Sequence, residues 1–261
     1  MKLPMIPAIL GLSIAAILCA SAPSAMGQTV IIQTPSTTFP IKITKPGSYI
    51  LRSNLAVPAH FSGIEIDTGL VTLDLNGFAI FGPGASVDAA VCGVIGGVRT
   101  NVTVVNGVIR SIGCPVSLGS FADIERLHAD FNAIGILAGS SSRIVGNTAT
   151  NTTSEAGIIC QTGCFISGNT VSGNKGGGIL AGKGALILAN TVNGNALNGV
   201  SAGPGSTVLD NTVGSNTGFG LGLGTNSGSG RNVMQTNTKG CSDASSSPVS
   251  MGDNVCNGVK F

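Results

Sequence analysis

The chain has 261 residues, a formal charge of +2 and only 9% charged side chains. Phosphate binding needs clustered Lys and Arg, so this composition excludes nucleic acid as a partner. With 43% apolar residues it is not a disordered chain. Its 40 glycines argue against helix, since each costs about 1 kcal/mol in a helix interior.

Residues 1–27 read as a signal peptide. Lys2 gives a positive start, Ile6 to Ala20 is an apolar run, and Ala25-Met26-Gly27 has the small residues of a cut before Gln28. Leu18 is too large to precede a lipidated Cys19. The reading is an exported chain, periplasmic or secreted, with no membrane segment after cleavage. Residues 28–62 form an N-terminal cap and first coil, with Phe39, Tyr49 and Phe61 expected to plug the open end. The repeat region spans 63–237. It begins with an expanded coil, in which Val71, Leu73 and Leu75 alternate with Thr72, Asp74 and Asn76. A Gly-, Pro- and Ala-rich insertion follows at 82–92, expected to form a loop. Gly93 to Ile112 and Gly113 to Ile134 make the next two coils.

From Gly135 the pattern is explicit. Rows open at Gly135-Ile136, Gly157-Ile158, Gly178-Ile179, Gly199-Val200 and Gly220-Leu221. An Asn-Thr pair recurs within them, led by Asn147, Asn169, Asn190 and Asn211. Each row holds three short alternating segments separated by Gly, Asn, Ser and Thr, and none shows the three-and-four spacing of a helix. Leucine-rich repeats have rows of this length, but their fixed leucines are absent. A row of about 21 residues with three strands is one coil of a parallel β-solenoid, and stacking about 4.8 Å apart gives a continuous core. The repeated asparagines read as a structural ladder at a turn. Residues 238–261 form the C-terminal cap or tail.

These rows resemble the right-handed parallel β-helix repeats of the pectate-lyase-like superfamily, and the stretch from Thr72 to Gly84 resembles the opening coils of exported bacterial members. The resemblance implies an all-β, single-stranded right-handed parallel β-helix of about nine coils with 20–22-residue repeats. It also implies a range of functions: polysaccharide lyases and hydrolases, epimerases, phage tail spikes, periplasmic maturation proteins and members without an activity.

Six cysteines follow the leader, an even number that suits disulfides in an exported chain. Cys92 and Cys114 sit beside successive row starts, and Cys241 and Cys256 would close the C-terminal loop. Cys160 and Cys164 would span one turn, with a buried Cys160 thiol as the alternative. No histidine accompanies the cysteines and no Cys-x-x-Cys occurs, so no metal site is assigned.

Two groups carry residue types suited to sugar chemistry. Asp123 and Glu125 lie on one side of a charged segment that continues through His128, and paired carboxylates about 5 to 10 Å apart would serve glycoside hydrolysis. Val105 and Asn147 are expected to stack on Glu125. The second group is Glu65, Asp67 and Asp74 with Arg99, types that a calcium-dependent lyase uses. Against catalysis, the chain lacks Asn-Thr-Asp, Asp-Asp and Gly-His-Gly, lacks Trp-Ile-Asp-His and Asp-Pro-His-Asp, and has one Tyr and no Trp. The function expected is an exported, non-catalytic β-helix, structural or glycan-contacting, without a cofactor. A polysaccharide lyase or glycoside hydrolase on polyuronides, with calcium possible for a lyase, is the alternative. A periplasmic accessory protein of copper-enzyme maturation is the second. The partner class is a polysaccharide or cell-surface glycan.

Overall fold

The computed structural model describes residues 27–84, 90–243 and 249–260. Residues 1–26 of the leader expected at 1–27 lie outside the described residues, as do positions 85–89 of the insertion. All helix is absent from the described residues, whose regular structure is strand alone. The strands wind into a right-handed parallel β-helix of about ten turns.

Each coil contributes to three faces. The first face is a 9-stranded parallel sheet running from Ile41–Ile43 to Leu221–Leu223. The second and third faces share a 20-stranded sheet folded along one corner. Two long strands, Val102–Arg110 and Asp123–Asp130, run round that corner unbroken. The repeat register is the one the leading glycines mark: Ile136, Ile158, Ile179, Val200 and Leu221 pair in succession.

One boundary differs. Val94 pairs with Val116 and Ser117 with Leu137, so Pro115 rather than Gly113 fills the leading position of its coil. A proline there breaks the glycine pattern without breaking the stack. The tail is also more regular than expected. Val249–Ser250 and Val255–Cys256 pair onto the preceding coil, and Val259–Lys260 folds back antiparallel to close the C-terminal end.

The core is a narrow column of single inward residues. Ile124, Ile144, Ile166, Ile187 and Val208 line it from the second face, each fully buried. Three corners per coil turn the chain, and each uses a left-handed backbone position. One corner column reads Arg126, Gly146, Gly168, Ala189, Asp210 and Arg231, with φ between 51° and 64°. Such columns explain the richness in Gly, Asn and Ser, which reach positive φ at least cost.

Beneath that corner runs the asparagine ladder. Asn147, Asn169, Asn190 and Asn211 are all about 1% exposed. Each side-chain nitrogen donates to the Oδ1 of the next, at 3.1, 2.9 and 2.9 Å in turn. The ladder continues through Asn232 to Asn254. A second, unanticipated ladder joins Asn174, Asn195, Asn216 and Asn237. It explains the leading glycines. A Cβ on Gly157, Gly178, Gly199 or Gly220 would lie 2.6 to 2.9 Å from the side-chain nitrogen of the neighbouring ladder asparagine.

At the N-terminal mouth, Phe39 and Tyr49 line a cavity of about 680 Å³ with Ile31 and Ile41. Phe61 is not among its lining residues and is 46% exposed, so it does not serve as a plug.

Three disulfides form: Cys92–Cys114, Cys160–Cys164 and Cys241–Cys256. Cys160 keeps its inward place in register with Ala138 and Ala181 and is bonded rather than a free thiol. Replacing Cys241 and Cys256 by serine removes a 15-residue link with an expected contribution of about 3 kcal/mol. Hydrogen exchange checks this: amides of 249–260 lose protection first, while those of the central coils keep theirs.

Candidate functional site

The charged segment forms strand Asp123–Asp130, with Ile124, Leu127 and Ala129 buried. Asp123 and Glu125 point outward from the second face. The strand turns the corner at Arg126, whose φ is 51°. His128 therefore lies on the third face, exposed, aligned with Val108 and Thr148. Asp123, Glu125 and His128 do not share one surface.

The residues stacked on Glu125 are Val105 and Val145, not Asn147. Asn147 sits two residues further on, turned inward, where its Oδ1 accepts the Leu127 N–H at 2.9 Å. The corner turns asparagine into a core residue, which the linear offset did not convey.

The Glu125 carboxylate is engaged by both Arg126 and Arg143. Arg143, one coil on, also reaches Asp123 at 2.9 Å. Arg126 Nε donates to Asn106 Oδ1 at 2.7 Å, and Asn106 Nδ2 donates to Asp74 Oδ1 at 3.1 Å. Asp74 also accepts the Asn76 backbone N–H at 2.7 Å. Asp74 thus belongs to this second-face network and is parted from Glu65, Asp67 and Arg99.

Those three lie together on the first-face side. Lys42 Nζ is 3.3 Å from Glu65 and 3.9 Å from Asp67, and Arg99 is 3.9 Å from Asp67. General acid–base work needs a carboxyl within reach of substrate and free to exchange a proton with it. The carboxylates of both groups are instead held by guanidinium, ammonium or turn groups. Among the described residues no cluster of three His, Cys, Asp or Glu is placed to hold a metal ion.

A groove runs along the edge of the first face. A cavity of about 210 Å³ beside Glu65, Asp67 and Arg99 shares Gly97 and Val98 with another of about 340 Å³. Leu137 and Ile159 line the second, with Ser117, Ser120 and Gln161 supplying polar groups. A lining of apolar and hydroxyl- or amide-bearing side chains together suits a chain that presents both C–H and hydroxyl surfaces.

Further along, Arg231 and Asp210 of adjacent coils form a two-point pair at 2.7 Å for each bond. The hydrogen bond from Arg231, aided by its charge, holds the Asp210 carboxyl below its ordinary range. A lowered folded value means that the pair stabilises above the unfolded value of about 3.9 and loses its effect as pH falls through the folded one. Proton–carbon NMR titration of Asp210 is expected to give a midpoint below that of an unfolded peptide, and Arg231→Ala to return it.

With the geometry described, the chain can be set beside known structures. It aligns with a mutant of the periplasmic alginate epimerase AlgG at a TM-score of 0.52, with 14% identity over 82% of this chain and 69% of that one. It aligns with the A-module of the Azotobacter vinelandii mannuronan C-5 epimerase AlgE4 at 0.52, with 13% identity over 80% and 86%. What the chain shares with these structures is the parallel β-helix fold. At these identities the likeness is one of fold. No family model matches the chain, and no curated protein matches it. No helix among the described residues is long and apolar enough to cross a membrane. The three disulfides suit an oxidising compartment.

Two features escaped the sequence reading. The second ladder was visible only as a further Asn before each leading glycine. Glu155 stands alone in a turn, with no neighbouring charge to mark it, yet it lines a cavity of about 490 Å³.

Proposed function

We propose that the protein is an exported, non-catalytic β-helix that contacts glycans along its outer surface. The observation that carries this reading is the fate of Glu125, the most enclosed carboxylate of the candidate cluster, which two guanidinium groups occupy. The groove on the first face supports the glycan side of the reading. So do the two similar structures, which are described as alginate and mannuronan epimerases. The disulfides and the apolar leader support export.

The test of non-catalysis uses protein from Gln28 onward with its disulfides intact. It is incubated with polymannuronate, polygalacturonate and neutral glycans, with and without calcium. New reducing ends, unsaturated ends and inversion at C-5 are followed by colour, ultraviolet absorbance and proton NMR. The expected result is no turnover. Turnover that disappears on Glu125→Gln or Asp74→Asn would replace this reading with the enzyme one.

A further inference from the structure

The turn between the third and first faces builds a notch of its own. Backbone hydrogen bonds stack Glu155, Gly176, Leu197 and Gly218 in one column, at 3.2, 3.1 and 3.0 Å. Coils are about 4.8 Å apart, so Glu155 and Leu197 face each other across about 10 Å. The coil between them presents Gly176 and Gly177, whose lack of side chains leaves the gap open. A Cβ on Gly176 would lie 2.5 Å from the backbone carbon of Glu155, so close stacking of the coils itself requires glycine there.

We infer that this notch binds a neutral saccharide. The inference rests on the glycan reading above and gives it a site and a substrate class. Leu197 and Leu180 are 61% and 46% exposed, and both line the cavity of about 490 Å³. They offer an apolar surface to the C–H face of a sugar ring. The polar side is furnished by Glu155, Lys175, Asn198 and Ser201. Neither the Glu155 carboxylate nor the Lys175 ammonium has a side-chain partner among the described residues, unlike Glu65, Asp67, Asp74, Asp123 and Glu125. Asn198 is oriented by its own bonds: Oδ1 accepts the Phe219 N–H at 2.9 Å and Nδ2 donates to Ser201 Oγ at 3.3 Å. Its second amide hydrogen is left to donate. A carboxylate takes a pair of sugar hydroxyls as donors, and an ammonium gives to a ring or hydroxyl oxygen. Glu155 and Lys175 together give the notch no net charge, so nothing offsets the cost of desolvating a uronate carboxylate beside Glu155, and an uncharged sugar is preferred.

Isothermal titration of the Gln28-onward protein with cellohexaose, mannohexaose and a mannuronate oligomer of equal length tests this. One or both neutral oligosaccharides are expected to bind more tightly than the mannuronate. Glu155→Gln and Leu197→Ala should each weaken that binding about tenfold or more, while Leu70→Ala, on another corner, leaves it unchanged. Both altered side chains are exposed, so the urea midpoint should stay at the wild-type value. Neutral-sugar binding indifferent to both substitutions would overturn the notch. Mannuronate binding that is tighter and indifferent to Glu155→Gln would overturn the notch while leaving the broader glycan reading in place. Absence of binding to all three would overturn the notch, and the broader glycan reading would then stand or fall on polysaccharides outside this set.

Discussion

Replacing Asn190 with alanine lowers stability by about 3 to 5 kcal/mol, the sum of two or more orphaned buried groups at about 1 to 3 kcal/mol each. Asn190 is 1% exposed. Its Nδ2 donates to the carbonyls of Ile166 and Leu188 at 3.0 and 3.1 Å and to Asn211 Oδ1 at 2.9 Å. Its Oδ1 accepts both the backbone N–H and the side-chain N–H of Asn169, each at 2.9 Å. Alanine removes all of these and admits no polar group in their place. Asn190→Asp is a sharper version. It keeps the shape but sets an oxygen against the Ile166 carbonyl and Asn211 Oδ1, and so is expected to cost at least as much at neutral pH. The side chain of Asn151, exposed at a different corner, donates only to Asp130 Oδ1 at 2.9 Å. Asn151 has a φ of 56°, so Asn151→Ala should cost about 1 kcal/mol, from the left-handed backbone alone. Urea midpoints of the three variants decide the matter. Equal small shifts for Asn190→Ala and Asn151→Ala would mean that the ladder is not what holds the coils.

Gly178→Ala is the second large effect, at about 2 to 4 kcal/mol. The added Cβ would lie 2.5 Å from the Gly199 carbonyl oxygen and 2.9 Å from Asn195 Nδ2, and closer still to a methyl of Val192. Two of these neighbours are fixed, one by the backbone and one by the second ladder, so the strain has nowhere to relax. Gly184→Ala is the contrast. It has a φ of 68° and nothing within 4 Å of its Cβ, so only the left-handed backbone is penalised, by about 1 kcal/mol. Ala189 already occupies such a position at φ 54°. Thermal or urea unfolding of both variants should place Gly178→Ala well below Gly184→Ala.

The same two residues explain how much of the fold was legible. The leading glycines and ladder asparagines recur because every coil meets identical sterics, and identical sterics leave identical residues at a fixed spacing. Where one coil solves the problem differently, as Pro115 does, the spacing misleads by two residues. Reading across a corner fails for a related reason. The alternation of inward and outward residues restarts at each left-handed position, so Asn147 could be taken for an outward neighbour of Glu125 when Val145 holds that place. Asp74 lies near Glu65 in sequence, but a corner separates their faces, and Asn106 ties Asp74 to the Arg126 network instead. Glu155 is the opposite case. Nothing around it in sequence marks a site, because the notch is made by Gly176 and Leu197, one and two coils away.

Carboxylates on the strands are tied to cations, amides or hydroxyls of neighbouring coils, whereas the turn column leaves the Glu155 and Lys175 side chains free beside exposed leucines. Free polar groups beside exposed leucines are the arrangement that the proposed glycan contact requires. Affinity electrophoresis tests it most directly. Protein from Gln28 onward is run through native gels containing polymannuronate, polygalacturonate, glucomannan or no polysaccharide. Retarded migration is expected in at least one polysaccharide gel, relieved by adding the matching soluble oligosaccharide. Unchanged migration in every gel, by protein that unfolds cooperatively in urea, would contradict glycan contact.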